Sequence, residues 1–273
     1  RRRPAVVTAP MSDPVAAPAD YVFRVDGDTA ITTPHAAGPW DATMQHGGAP
    51  AALVTWVAER MPVPVPMRVA RLTLNLMRPV PVAPLAIERE VLRQGRKIQL
   101  CGVRLLAGGK EVVRAEVLKV RTERQTLPDD VAEPAIDVPL PEACAALDPK
   151  VMHPFTAGIE VRSARGTLIQ PRGGPVWFRI VRPMIAGESV SQAMRAVVAA
   201  DYCNTTAPLD FGDWLFMNAD LTVSMAREPV GDWVLLNAKT WIGPDGAGIA
   251  VGRLGDGRGY FGRAAQTLVV ERR

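Results

Sequence analysis

The sequence predicts an α+β protein in which a helix packs on one face of an antiparallel sheet, with the plan used twice along 273 residues. Three observations predict it. Two stretches, Ala49–Arg60 and Ser189–Asp201, carry the apolar spacing of a helix. Each of them follows two short strand candidates and precedes a run of four. The chain also echoes itself: Leu72-Thr73-Leu74-Asn75-Leu76-Met77-Arg78 returns as Leu221-Thr222-Val223-Ser224-Met225-Ala226-Arg227, every residue 149 positions after its counterpart. Arg104-Leu105 and Arg253-Leu254 keep that offset, as do Arg114-Ala115-Glu116-Val117 and Arg263-Ala264-Ala265-Gln266. Roughly ten identities in about fifty ungapped pairs exceed the about four that this composition gives by chance.

The elements follow in order. Residues 1–19 are rich in Pro and Ala and are expected to be a disordered tail. Tyr21 to Ile31 reads as two short strands around a turn at Asp26-Gly27-Asp28. A polar approach from Trp40 to Gly48 leads into the first helix, where Leu53, Trp56 and Val57 share a face and Met61-Pro62 ends it. Four strands are expected next, at Val69–Arg78, Leu85–Arg93, Lys97–Leu106 and Val112–Arg121, with Gly108-Gly109 turning the last hairpin. Six prolines between Thr126 and Pro154 mark a linker with a short helical turn around Glu142–Leu147.

The second half repeats the order. Gly158–Arg165 and Val176–Val181 read as strands, and Ser189–Asp201 as a helix with Met194, Val197 and Val198 inward. Asp220–Arg227, Trp233–Trp241, Gly248–Leu254 and Gly262–Val270 read as strands. This divides the chain into units at 20–125 and 155–273, joined by the linker at 126–154. Each sheet alone leaves an open edge, so pairing side by side into one long sheet is expected.

Composition narrows the function. The chain is 48% hydrophobic, 22% charged and 5% aromatic, with a net charge of +4. Its Lys and Arg are scattered, which argues against a nucleic-acid footprint and for mild attraction to anionic ligands. No apolar run has the length of a bilayer span. The opening Arg1-Arg2-Arg3 is followed by no apolar stretch of the secretory kind. Cys101, Cys144 and Cys203 form neither a metal pair nor a disulfide framework, which fits a reducing, cytoplasmic setting. His35, His46 and His153 are too few and dispersed to suggest a metal site. Gly257-Arg258-Gly259-Tyr260-Phe261-Gly262 spells a dinucleotide fingerprint but leads into a strand, so it reads as a hairpin and no cofactor is expected. The Gly-x-Ser-x-Gly elbow of α/β-hydrolases does not occur in the sequence.

Several segments resemble one family. Gln45-His46-Gly47-Gly48-Ala49 is similar to a Gly-Gly helix start, and Met77-Arg78-Pro79 to a Leu-Arg-Pro strand end. Ile159-Glu160-Val161-Arg162 followed by Trp177-Phe178-Arg179 resembles the opening strands of a second unit. Ala200-Asp201, Asn218-Ala219-Asp220 and Gln266 resemble a catalytic half. In this order, over about residues 20–273, they resemble the double-hot-dog acyl-CoA thioesterases of the bacterial medium/long-chain, thioesterase II type. The resemblance implies two tandem hot dogs, each an antiparallel sheet wrapping a central helix, and hydrolysis of fatty acyl-CoA to free acid and CoA. It implies an Asp, a Gln and a Ser or Thr that hold and activate a water. By position these are Asp201, Gln266 and Asn218, so Asn stands where the family has a hydroxyl.

The amides of Gln266 and Asn218 are expected to hold the water, with Asp201 as base or orienter. The N–H groups of Gly47 and Gly48 would serve as oxyanion donors, and His46 would border the cleft. The 149-residue offset sets Asp201 opposite Ala52, Asn218 opposite Val69 and Gln266 opposite Val117. The first copy is apolar wherever the second is polar, which assigns catalysis to the second. The expected partners are an acyl-CoA and further copies of the chain in a homo-oligomer. Two alternatives stand beside the thioesterase: a non-catalytic acyl-CoA or lipid-binding double hot dog, and an enoyl-CoA hydratase using Asp41 and His46.

Overall fold

The structure, a computed structural model, describes residues 20–128, 131, 135–148, 150, 152–166, 168 and 171–273. The tail expected at 1–19 lies outside the described residues. The chain opens with β1 (Phe23–Asp26), β2 (Thr29–Thr32), α1 (Gly48–Arg60), β3 (Met67–Leu76), β4 (Leu85–Gln94), β5 (Ile98–Ala107) and β6 (Lys110–Arg121). A 3-10 turn at Pro141–Ala143 and the two-residue β7 (Ala145–Ala146) follow. The second half contains β8 (Ile159–Ser163), β9 (Val176–Ile180), α2 (Gln192–Ala200), β10 (Trp214–Asn218), β11 (Asp220–Met225), β12 (Trp233–Ile242), β13 (Ala247–Asp256) and β14 (Gly259–Arg272).

Among the described residues all fourteen strands join one sheet, in the order β1-β2-β4-β5-β6-β3-β11-β14-β13-β12-β9-β8-β7, with β10 also on β14. The order read inward from either edge is the same apart from β7. The expected long sheet therefore forms, and its seam is the antiparallel pair of β3 and β11.

The echo proves to be a register identity. Thr73 pairs with Glu116 and Leu74 with Ala115, while Thr222 pairs with Ala265 and Val223 with Ala264, each 149 positions on. β5 and β13 have the same bounds at that offset. Even an irregularity recurs: the β3–β6 register slips between Val69 and Arg71, and the strand break between β10 and β11 falls at Ala219, the counterpart of Ala70. At the seam Thr73 pairs with Thr222, its own counterpart, so the pseudo-twofold passes through that pair. A slip of one residue would turn every inward side chain outward, so the registers hold only because one face is buried.

The helices do not keep the offset. α2 begins 144 positions after α1 and is four residues shorter, 9 against 13. Matched by helix end, the residue opposite Asp201 is Met61, the residue that ends α1, and not Ala52; the contrast of polar with apolar survives the correction. β10 was not anticipated, because Trp214–Asn218 sits among Asp210, Gly212 and Asp213, which read as loop. The helical turn expected around Glu142–Leu147 is a 3-10 turn ending at Ala143, and Ala145-Ala146 instead add an edge strand to β8.

α1 is buried nearly all round, from Gly48 to Ala58 with only Trp56 partly exposed, as befits a helix enclosed by a sheet rather than lying on its surface. It packs on α2. The N-terminal end of α1 meets the C-terminal end of α2 at Gly47 and Asp201. At the opposite ends Arg60 pairs with Glu188 at 2.7 Å. One apolar core spans both halves, with Leu53, Leu74 and Val117 from the first and Met194, Leu221 and Leu268 from the second.

Candidate active site

α2 forms because Ser191 caps it, its hydroxyl accepting from the Met194 N–H at 3.1 Å, and because Ala193, Met194 and the run Ala196–Ala200 are all buried. The helix ends at Asp201, whose carboxylate is 3% exposed. An acid at a helix C-terminus faces the negative end of that helix's dipole. Here it is compensated from the other half, because the carboxylate lies against the N-terminal end of α1. A Cβ on Gly47 would fall 2.7 and 2.8 Å from its two oxygens. Glycine is required at 47 by that approach; its φ of −57° is ordinary.

The side chains named from the sequence converge on this carboxylate. Asn218 Nδ2 donates to Asp201 Oδ1 at 3.0 Å, and Gln266 Nε2 to the same oxygen at 3.2 Å. Asp201 Oδ2 faces His46 Nδ1 at 2.9 Å. The alternation of β14 turns Ala264, Gln266 and Leu268 inward and Ala265, Thr267 and Val269 outward. The Gln266 amide bonds protein groups at both ends: Nε2 also donates to the Asp201 carbonyl at 3.0 Å, and Oε1 accepts the Asn204 N–H at 3.1 Å. It is a clamp on the end of α2. Asn218 donates also to the Asp220 carbonyl at 3.2 Å.

The glycine pair divides. Gly48 N lies 3.1 Å from His46 Nδ1, whereas the Gly47 N–H has no acceptor among the described residues. Asp41 does not pair with His46: it is exposed, and its carboxylate accepts from Thr43 N and Thr43 Oγ1, both at 2.7 Å. Those bonds, backbone first, hold its carboxyl below the usual range. The Asp41–His46 arrangement of the hydratase alternative is therefore not formed.

Four residues of the site were not found from the sequence: His153, Phe155, Thr156 and Tyr202. The His46 ring stacks on Phe155 at 4.8 Å and on His153 at 5.2 Å, and tilts against Tyr202 at 4.6 Å. The hydrogen-bond directions follow from chemistry. His153 Nδ1 lies 3.2 Å from the Ala37 carbonyl, which only accepts, so Nδ1 carries the proton. Nε2 then accepts from Thr156 Oγ1 at 2.6 Å, and Thr156 accepts from the Tyr202 hydroxyl at 2.8 Å. Burial, with the neighbouring His46 ring behind it, lowers the His153 pKa to about 3 against the bond to Ala37. Burial pushes the Tyr202 phenol up. No periodicity marks these residues, because 153–156 lie where the Pro-rich stretch ends.

The site opens into a cavity of about 920 Å³. Its walls include Trp40, Met44, Met77, Met152, Phe211 and Met217, with Asp201, His46 and Asn218 on its polar side. The cavity runs past the end of β3 at Leu76 and the end of β10 at Met217 and Asn218. Apolar walls with a few convergent polar groups suit a ligand with a long apolar part and one reactive polar function. Among the described residues no group of three His, Cys, Asp or Glu is placed to hold a metal. No helix among them is long and apolar enough to cross a membrane.

Comparison with known proteins gives the family and the fold. The model of the acyl-CoA thioesterase N-terminal domain matches residues 36–120, and that of the acyl-CoA thioesterase C-terminal domain matches 128–270. A search of curated proteins finds no match. Among solved structures, a hot-dog-fold protein from Alicyclobacillus acidocaldarius superposes with a TM-score of 0.70 at 17% identity, covering 91% of this chain and 95% of its own. The TesB protein of Mycobacterium avium subsp. paratuberculosis gives 0.69 at 15%, covering 91% and 95%. An acyl-CoA thioesterase II from Mycobacterium marinum gives 0.63 at 15%, covering 93% and 96%. At these identities the likeness establishes the hot-dog fold.

Proposed function

The chain belongs to the acyl-CoA thioesterase family, whose two domain models together span most of it, and we propose that it hydrolyses fatty acyl-CoA to free acid and CoA by a water directed from Asp201. Residues 20–125 and 155–273 are read as two tandem hot dogs joined by 126–154, with the catalytic groups in the second and the oxyanion donors in the first. The observation that carries this is the meeting of Asp201, Asn218 and Gln266 on one carboxylate at the polar side of an apolar cavity.

Each part has a task. Asn218 and Gln266 fix Oδ1 by two N–H bonds to a charged oxygen, each worth about 1.5–3 kcal/mol, and leave Oδ2 turned to His46. The Gly47 N–H, at the positive end of α1, supports the negative charge that grows on the thioester carbonyl oxygen. The apolar walls take the acyl chain. Asn218 in the hydroxyl position binds the carboxylate rather than the water.

Thiol release measured over a series of acyl-CoA chain lengths tests the reading. The wild type is expected to turn over, and Asp201→Asn to lose at least about 10²-fold in kcat. A wild type that binds acyl-CoA yet releases no CoA at any chain length would return the protein to the binding class.

A further inference from the structure

We propose that His46, rather than Asp201, takes the proton from the attacking water, and that Asp201 acts through it as the positioning residue. This rests on the thioesterase reading above and assigns the proton path within the same site.

The bonding around Asp201 leaves it little reach of its own. Oδ1 already accepts from Asn218 and Gln266, Oδ2 is 2.9 Å from His46 Nδ1, and Gly47 lies against both oxygens. His46 Nδ1 has two neighbours that make opposite demands. It accepts if it bonds the Gly48 N–H at 3.1 Å, and it donates if it bonds the carboxylate at 2.9 Å. Two acceptors at 2.9 Å would repel, and a donor to an ionised oxygen makes the stronger bond. The proton therefore belongs on Nδ1. The lone pair is then on Nε2, which has no partner among the described residues and is not a sealed atom of the core. The ring lines the cavity and is held between Phe155, His153 and Tyr202. A buried carboxylate that fixes the tautomer and leaves the far nitrogen free for proton transfer is the division of labour of a His–Asp pair in general-base catalysis.

The assignment also accounts for two other features. With the proton on Nδ1 the ring no longer accepts from the Gly48 N–H, which leaves the Gly47 N–H, without an acceptor among the described residues, as the oxyanion donor at the helix start. And Asn218, which cannot relay a proton as a hydroxyl could, is suited to a carboxylate that only orients a base.

The step balances without a further reactant. His46 Nε2 takes a proton from water as the water oxygen bonds to the thioester carbon and the carbonyl electron pair moves to oxygen, near the Gly47 N–H. When the carbonyl re-forms, the carbon–sulfur bond breaks and the leaving thiolate takes the proton from Nε2. The products are CoA thiol and a fatty acid that ionises to its carboxylate.

The groups facing His46 are Asp201 after α2, Tyr202 beside it, and His153 from the segment ahead of β8; Tyr202 and His153 stay neutral near pH 7, by burial first. The wild-type kcat/KM is therefore expected to show a single acid limb, set by the catalytic base. His46→Gln is expected to lower kcat by about 10²–10⁴-fold with KM within a few-fold and without the limb. Added imidazole is expected to restore part of the rate in His46→Ala. If His46→Gln keeps kcat within about threefold of wild type while Asp201→Asn is inactive, Asp201 works directly and the proposal fails. A wild-type profile with no acid limb overturns it equally, even if neither variant folds. Absence of CoA release by the wild type at every pH would instead remove the thioesterase reading beneath it.

Discussion

A single side chain shows how this site is sustained by its surroundings. His153 has no step of its own in the reaction, yet it braces His46 and is held neutral by burial, its pKa lowered from 6.5 to about 3. Between those values the unfolded chain binds a proton that the folded chain does not. Stability from this group is therefore complete above pH 6.5 and is lost as the pH falls toward 3. Below 6.5 the loss is about 1.4 kcal/mol per pH unit. Chemical denaturation of wild type and His153→Gln should accordingly show a stability difference that shrinks by about 2 kcal/mol between pH 7 and pH 5. A difference that stays constant over that interval would mean His153 titrates normally in the fold. The buried Asp256, paired with the partly buried Arg227, is a structural counterpart elsewhere. Burial raises the Asp256 carboxyl, but Arg227 and the N–H groups of Val230 and Arg258 outweigh it and hold it below its ordinary value. That carboxylate locks the Gly257–Gly262 hairpin, which is why the fingerprint-like run makes a turn between β13 and β14 and no nucleotide loop.

At the level of elements, the two helix ends solve one problem in two ways. Each presents unsatisfied carbonyls to the core. At the end of α2 the Gln266 amide donates to the Asp201 carbonyl; at the end of α1 the Lys119 ammonium donates to the Met61 carbonyl at 3.0 Å, and Gln99 to the Pro62 carbonyl at 2.7 Å. Lys119 is buried, and desolvation lowers its pKa. The paired strand positions also differ. Arg68 donates to the Met225 and Ala226 carbonyls and closes the gap between β3 and the end of β11; its counterpart Met217 makes no such closure and lines the cavity. One end of the pseudo-symmetric pair is thus filled and the other open. Lys119→Met is expected to destabilise by about 1–3 kcal/mol, through the orphaned Met61 carbonyl, with kcat unchanged. Urea titration checks the first part and thiol release the second. Equal or greater stability in the variant would show that burying the charge costs more than the bond returns.

The whole molecule follows from the site lying between halves. Asp201, Asn218 and Gln266 come from the second, His46 and Gly47 from the first, and the β3–β11 ladder and the α1–α2 contact join them in one core. Neither half retains the site alone. Calorimetry is therefore expected to give one transition with equal calorimetric and van't Hoff enthalpies. Two separated transitions would show that the seam is weaker than either half.

The fold was legible because it is written in period and offset. Strand alternation, two helical stretches and a 149-residue repeat are local or translational properties, and they specify registers whenever one face must be buried. Asp201, Gln266 and Asn218 were legible as polar breaks in that repeat and through a family resemblance. The partnership of His46 with Asp201 was not, nor were the roles of His153, Thr156 and Tyr202. Those contacts join residues 155 and 46 positions apart, as in His46–Asp201 and Thr156–Tyr202, across a fold whose helices break the repeat by five residues, 144 against 149. By itself the sequence determined the sheet, the two helices and which copy carries polar groups, since burial alternates along the chain. The tertiary structure alone decided which nitrogen faces the carboxylate, which glycine N–H is free and that Gln266 holds the end of α2, because hydrogen bonds depend on ångström distances between groups that no local pattern connects.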